Sequence, residues 1–218
     1  MIVTIIVVIL YINIEDGSSN KIDTSTPLYQ KSGNSSSFSE YKPFTAQDDT
    51  ILCRANPEDT HGGLPYLITR NTWGSGSNNI FELSTLIRFD ISTLPRNATI
   101  LSAHLRLYYY SWEDSNPTGR PLTLYRILDD WHESNVVWAA QPRYVDEPTA
   151  TAYVPSNFGY LSWDVTGDCR LFFKGEQNNF GWRLSDNTFW GQPNVPQVFF
   201  SSKDNDSNKP YLEIEYIV

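Results

Sequence analysis

From about residue 44 onward apolar and polar residues alternate with a period of two, a pattern that strands satisfy and helices do not. In SAHLRLYYY, Ala103, Leu105, Leu107 and Tyr109 fall on one side, with His104, Arg106 and Tyr108 on the other. The same rule puts Ile87, Phe89 and Ile91 opposite Arg88 and Asp90, and Leu212, Ile214 and Tyr216 opposite Glu213 and Glu215. Shorter runs, DTILCR, PYLIT, PLTLYRI, GYLSWD, FGWRLS and QVFFSS, bring the total to about nine candidate strands. Gly, Pro, Asn and Asp gather between them, so the sequence predicts an all-β, antiparallel sandwich with one buried face per strand. One stretch departs from this rhythm. In DVTGDCRLFFKGE, Val165, Cys169, Phe172 and Phe173 fall at helical spacing, with Asp164 or Thr166 as N-cap and Gly175 as the stop, which predicts one short helix.

Ahead of this body lie two segments of different chemistry. Residues 1–14, MIVTIIVVILYINI, are almost wholly apolar and read as an export signal or membrane anchor, although they are shorter than a spanning helix requires and lack a basic leader. Residues 15–43 are rich in Ser, Asn and Thr without hydrophobic period, which reads as a flexible linker, leaving 44–218 as the folded domain. A tethered domain outside the cell, secreted or anchored, is the expected arrangement. The sequons at Asn34, Asn97 and Asn205 are compatible with it.

Charge and motif content then remove several functions. The formal charge of −9 is the wrong sign for a phosphate backbone, so no nucleic-acid partner is expected. The histidines His61, His104 and His132 form no His-Glu-x-x-His pair, and neither a Gly-x-Ser-x-Gly elbow nor a phosphate-binding glycine loop is present. A glycosidase needs only two suitably spaced carboxylates, and the chain has 25 acids, so a polysaccharide-degrading enzyme stays as the catalytic alternative. Cys53 and Cys169 have no Cys-x-x-Cys spacing; in an exported domain they are the candidate pair for a single disulfide.

Several elements recur in a familiar order: FDISTLP, LRLYYY, DWHESNVVW, SWDVT, KGEQNNFGWRL, FFSSKD and PYLEIEY. Together they resemble the DNRLRE domain, a family that includes disaggregatase-related repeats of surface proteins and a carbohydrate-binding module family. The resemblance spans roughly residues 45–218 and implies a jelly-roll β-sandwich, non-catalytic and extracellular, that binds a polysaccharide or builds the cell envelope; a protein-binding surface domain is the further alternative.

Within such a body, aromatics stranded in polar loops are the natural ligand contacts, because a flat ring gives a large contact at small entropic cost. The candidates are Trp73, Trp112, Phe189 and Trp190, with Arg120 as a polar partner; Arg106 and Arg143 join it as groups that would locally reverse the acidic field. Trp131, Trp138 and Trp163 are instead expected in the core. Asp48, Asp49, Glu58, Asp59 and Asp204 are candidate oxygen ligands for a structural Ca²⁺, with Asp206 beside them.

Overall fold

The computed structural model describes residues 38–71, 81–188 and 194–218. Ten strands and one α-helix follow in the order β1 (Glu40–Cys53), β2 (Tyr66–Arg70), β3 (Leu83–Phe89), β4 (Thr99–Glu113), β5 (Pro121–Arg126), β6 (Ala150–Tyr153), β7 (Gly159–Asp164), α1 (Thr166–Phe173), β8 (Trp182–Ser185), β9 (Gln197–Ser201) and β10 (Tyr211–Ile217). The nine strands read from the sequence are all present. The additional one, β6, is the short ATAY segment, and β1 starts at Glu40, four residues ahead of the expected domain boundary at 44.

Pairing is antiparallel throughout and joins the strands into one sheet that closes on itself, rather than two sheets with free edges. The closing device is β1, whose first half pairs with β10 and whose second half pairs with β3, the change of partner falling at a bulge between Ala46 and Asp48. The ring then runs β1, β10, β4, β9, β2, β3 and back to β1. Closure gives each of these six strands at least two neighbours and so shortens the open edges that carry an aggregation hazard. The long strand β4 holds β10 and then β9 along one side and β7 along the other, while β8, β5 and β6 extend from β3.

The alternation reads directly onto burial. Ala103, Leu105, Leu107 and Tyr109 of β4 are buried, as are Ile87 and Phe89 of β3 and Leu212, Ile214 and Tyr216 of β10. Each fully buried Leu or Ile contributes about 2 kcal/mol of hydrophobic stabilisation. Trp163 crosses the core to donate its indole N–H to the Leu122 carbonyl at 2.9 Å, tying β7 to β5. Trp131 and Trp163 are core residues as expected and Trp138 is half-buried.

Helix α1 falls where the spacing placed it, but its N-cap is Val165, whose apolar side chain accepts no hydrogen bond, rather than Asp164 or Thr166, because the helix begins at Thr166 itself. Asp164 Oδ1 accepts the Thr166 amide at 2.9 Å, Thr166 Oγ1 accepts the Ala103 amide, and Gly175 ends the helix with φ of +70°. Cys169 and Phe172 turn inward, Phe172 meeting the Trp182 ring at 5.5 Å. The Cys53–Cys169 bridge expected from export is not formed: both are free thiols, Cys53 at the end of β1 and Cys169 fully buried in the main core. Burial in that apolar setting pushes the Cys169 thiol far above its ordinary range, so it behaves as a small hydrophobic residue.

Candidate functional site

On an antiparallel sheet with one buried face, outward positions normally carry Thr, Lys or Glu. Here the outward positions around β4 carry rings. The Tyr108 ring stands edge-on to Tyr160 of β7, and Tyr160 to Tyr211 of β10, both at 5.1 Å between centroids. One step along β4, Tyr110 meets Phe199 of β9 at 6.4 Å, and Phe199 meets Tyr66 of β2 at 6.2 Å. All six are partly exposed, Tyr160 at 40%. Their common face follows from register: Tyr108 pairs with Tyr160, while the buried partners Tyr109 and Phe200 pair on the inner side. Partial burial and the neighbouring Tyr211 and Tyr108 phenols raise the Tyr160 pKa, and burial with Tyr66 and Glu113 does the same for Tyr110. Three phenols therefore meet in each other's field at the centre of this face.

The charged groups bordering the rings already hold hydrogen-bond partners. Arg106 donates to Glu213 at 2.9 Å, and Glu215 is held below its ordinary carboxyl range by hydrogen bonds from Ser39, Tyr41 and Ser102. Sequence reasoning missed this platform because its rings come from five strands, β2, β4, β7, β9 and β10, which are remote from one another in sequence. The outward Tyr108 was legible from alternation, but its neighbours were not.

Of the ring-bearing loops singled out by sequence, Trp112 is the described member. It lies at the end of β4 beyond a bulge at Tyr109 and Ser111, in register with the buried Val198, and is 40% exposed. Trp73, Phe189 and Trp190 lie outside the described residues. The flanks of their segments meet at this end: Asn71 donates its side-chain amide to the Thr188 carbonyl, and Ser115 Oγ donates to the Asn194 carbonyl at 2.8 Å. Arg70 completes the border, paired with Asp114 at 3.3 Å and lying over the Phe81 ring at 5.3 Å.

Arg120 is not placed to touch a ligand. It is buried, its Nε and Nη2 donating to the two oxygens of Asp186 at 2.7 and 2.8 Å and Nη2 also to the Thr188 carbonyl at 2.8 Å. A sequence cannot reveal this because the partner is 66 residues away. Arg143 is likewise paired, with Asp129 at 2.7 Å.

The acidic candidates separate into two groups. Asp48 is buried and takes Arg88 at 2.7 Å, and Arg88 also reaches Asp130 at 2.7 Å over the Trp131 ring, fixing the segment after β5 to the barrel wall. Asp49 and Asp204 do converge, but with Glu133, which sequence reasoning did not single out; oxygens of the three lie within 4.8 Å of one another. Glu58 and Asp59 remain exposed on the β1–β2 connection, outside this group. Lys203 supplies the group with positive charge: its Nζ lies 3.0 Å from Glu133 and 2.8 Å from Asp204, and its amide donates to Asp49 at 2.7 Å. A calcium ion here would compete with that ammonium.

Burial pushes the Asp49 carboxyl up to about 7, against the pull of Lys203. Because the folded pKa lies above the unfolded one, the native state binds the extra proton between these values, and the cost of the buried charge grows as pH rises through that window. Asp49→Asn removes the titration while keeping an acceptor for the Lys203 amide. The melting temperature of the native protein, relative to this variant, is expected to fall by several degrees between pH 5 and pH 8, corresponding to a few kcal/mol. A flat difference in thermal scans across that range would contradict the assignment.

The residues that build this barrel coincide with a known family. The model of carbohydrate-binding module family 96 matches residues 40–216, from the first residue of β1 to the penultimate residue of β10. No curated protein matches the chain. With the family model running over the whole closed sheet, the chain belongs to carbohydrate-binding module family 96.

Proposed function

We propose that the chain binds a polysaccharide on the outward tyrosine face of β4 and its neighbours, as a non-catalytic module displayed on, or secreted from, the cell. The observation that carries this reading is the set of six rings, Tyr66, Tyr108, Tyr110, Tyr160, Phe199 and Tyr211, on one solvent-facing side of a sheet. Rings carried by strands are held by ladder hydrogen bonds, so little ordering entropy is lost when a sugar docks, and phenol hydroxyls at the ring tips can bond the equatorial hydroxyls of a pyranose. Because the bordering charged groups already hold hydrogen-bond partners within the protein, binding rests on stacking more than on charge. The closed sheet fits a flattened jelly roll with the order of elements of the DNRLRE-like domain. The apolar residues 1–14 and the polar segment after them would supply an export signal or tether.

The test is affinity electrophoresis of the chain through gels containing neutral, acidic or amino-bearing polysaccharides. Selective retardation is expected, insensitive to salt and without clearing of the polymer. Tyr108→Ala and Tyr160→Ala are each expected to weaken it by about tenfold or more, at about 1 to 3 kcal/mol per stacked ring. Retardation unchanged in both variants would move the site elsewhere, with Trp112→Ala as the next variant. Depolymerised zones would favour an enzyme.

A further inference from the structure

A pocket of about 720 Å³ concentrates positive charge on this acidic protein, whose formal charge is −9. It lies between the turn before β4, the first residues of β4 and the end of α1. Leu101, which is 40% exposed, and Phe173 give it apolar surface, while Arg96, Arg170 and Lys174 supply three cations; among the described residues no acid lines it. Arg170 is fixed in place, Nε donating to the Ile100 carbonyl at 3.0 Å and Nη2 to the Leu101 carbonyl at 2.8 Å. Arg96 is exposed and also lines the adjoining pocket of about 500 Å³. Lys174 lies 3.8 Å from Glu176, beyond hydrogen-bond distance, and both side chains are more than half exposed, so its charge is only weakly countered.

The position of the pocket in the fold selects its occupant. Glu40 pairs with Tyr216 and Ile217 pairs with Thr99, so the chain enters β1 and leaves β10 at the same end as the pocket. Phe38, Tyr41 and Val218 are exposed at that end, at 80%, 65% and 62%. The chain ahead of β1, residues 1–39, is therefore joined to the barrel at this end. We infer that this end docks on an anionic phospholipid surface, a lipid phosphate entering the pocket among Arg96, Arg170 and Lys174 while the neighbouring exposed apolar side chains enter the interface. Anionic lipid attracts juxtamembrane cations, and aromatic and aliphatic side chains beside them gain from burial at the headgroup boundary. The tyrosine platform lies toward the other end of β4, at Tyr108 and Tyr110 rather than at Thr99 to Leu101, so this docking is independent of the glycan reading.

The test uses the full chain and vesicles of phosphatidylcholine alone or with added phosphatidylglycerol, at low and high salt. Pure phosphatidylcholine reports the contribution of the apolar start, and the gain with phosphatidylglycerol reports the pocket. That gain is expected to be salt-sensitive and to fall by about fivefold per cation removed, hence about 25-fold in the Arg96→Gln, Lys174→Gln double variant. Both positions are on the surface, and an unchanged melting temperature certifies the fold of the variant. Tyr108→Ala is expected to leave vesicle binding as it is. Equal affinity of native and double-variant protein for the anionic vesicles, or no gain from phosphatidylglycerol, would overturn the inference. Retardation by dextran sulfate that the double variant abolishes, with no vesicle gain, would also overturn it and give the pocket to an acidic glycan.

Discussion

Gly181→Ala is expected to leave little or no folded protein. Gly181 precedes β8 with φ of +75°, a region an L side chain enters at a cost of about 1 kcal/mol or more. The larger obstacle is space. A methyl group there would lie 2.1 Å from the Ile87 carbonyl oxygen and 2.8 Å from the Arg88 Cα, both backbone atoms of β3 that cannot turn aside. Relief requires moving β3 or β8, and these strands pair at Thr85, Leu86 and Ile87 and position the buried Trp182. Strain and overpacking together reach about 4 kcal/mol, a large share of the stability of an ordinary domain. Gly175 supplies the control, since its φ is +70° but nothing lies within 4 Å of an added methyl. Gly175→Ala should cost about 1 kcal/mol, for the conformation alone. Soluble yield and thermal scans of the two variants separate the explanations: similar losses would mean that φ, not the approach to β3, decides.

The second large effect concerns the buried pair Arg120–Asp186. Two parallel hydrogen bonds of 2.7 and 2.8 Å join the groups, and Asp186 also accepts the Thr188 amide at 3.0 Å. Burial pushes the Asp186 carboxyl up, and Arg120 pulls it back, the expected opposition for a desolvated charge held by its partner. Arg120→Ala leaves Asp186 buried without that partner and is expected to cost about 3 to 5 kcal/mol, lowering the melting temperature by roughly 10 °C or more. Asp186→Ala should be as damaging. The double variant Arg120→Met, Asp186→Leu should recover much of the loss, because the penalty lies in the uncompensated charge. If the single variants melt near the native temperature, the pair is not structural.

Much of the fold was legible because strand periodicity is local. Alternation in LIRFDI, SAHLRLYYY and YLEIEYI placed the buried faces of β3, β4 and β10 correctly, and the break in rhythm at DVTGDCRLFF placed α1. Pairing was not legible. Alternation names the inner face of a strand and is silent on which strand lies beside it, so ring closure through the β1 bulge and the short β6 emerged only from the structure. The same limit governed the site residues. Arg120 looked like a ligand contact because its partner Asp186 is remote in sequence, and the bridge expected between Cys53 and Cys169 is absent because one thiol ends β1 while the other faces the main core from α1.

Sequence by itself determined the all-β class, the inner faces of β3, β4 and β10, the position of α1 and the likeness to a carbohydrate-binding-module domain, since all of these rest on spacing within short windows. Tertiary structure alone decided that Tyr66, Tyr108, Tyr110, Tyr160, Phe199 and Tyr211 share one surface. It also decided that Asp49 and Asp204 meet Glu133 around Lys203, and that three cations border one pocket. The physical reason is register: a shift of one residue between β4 and β7 would move Tyr160 to the inner face without changing any local pattern, and register is fixed by the packing of the whole core.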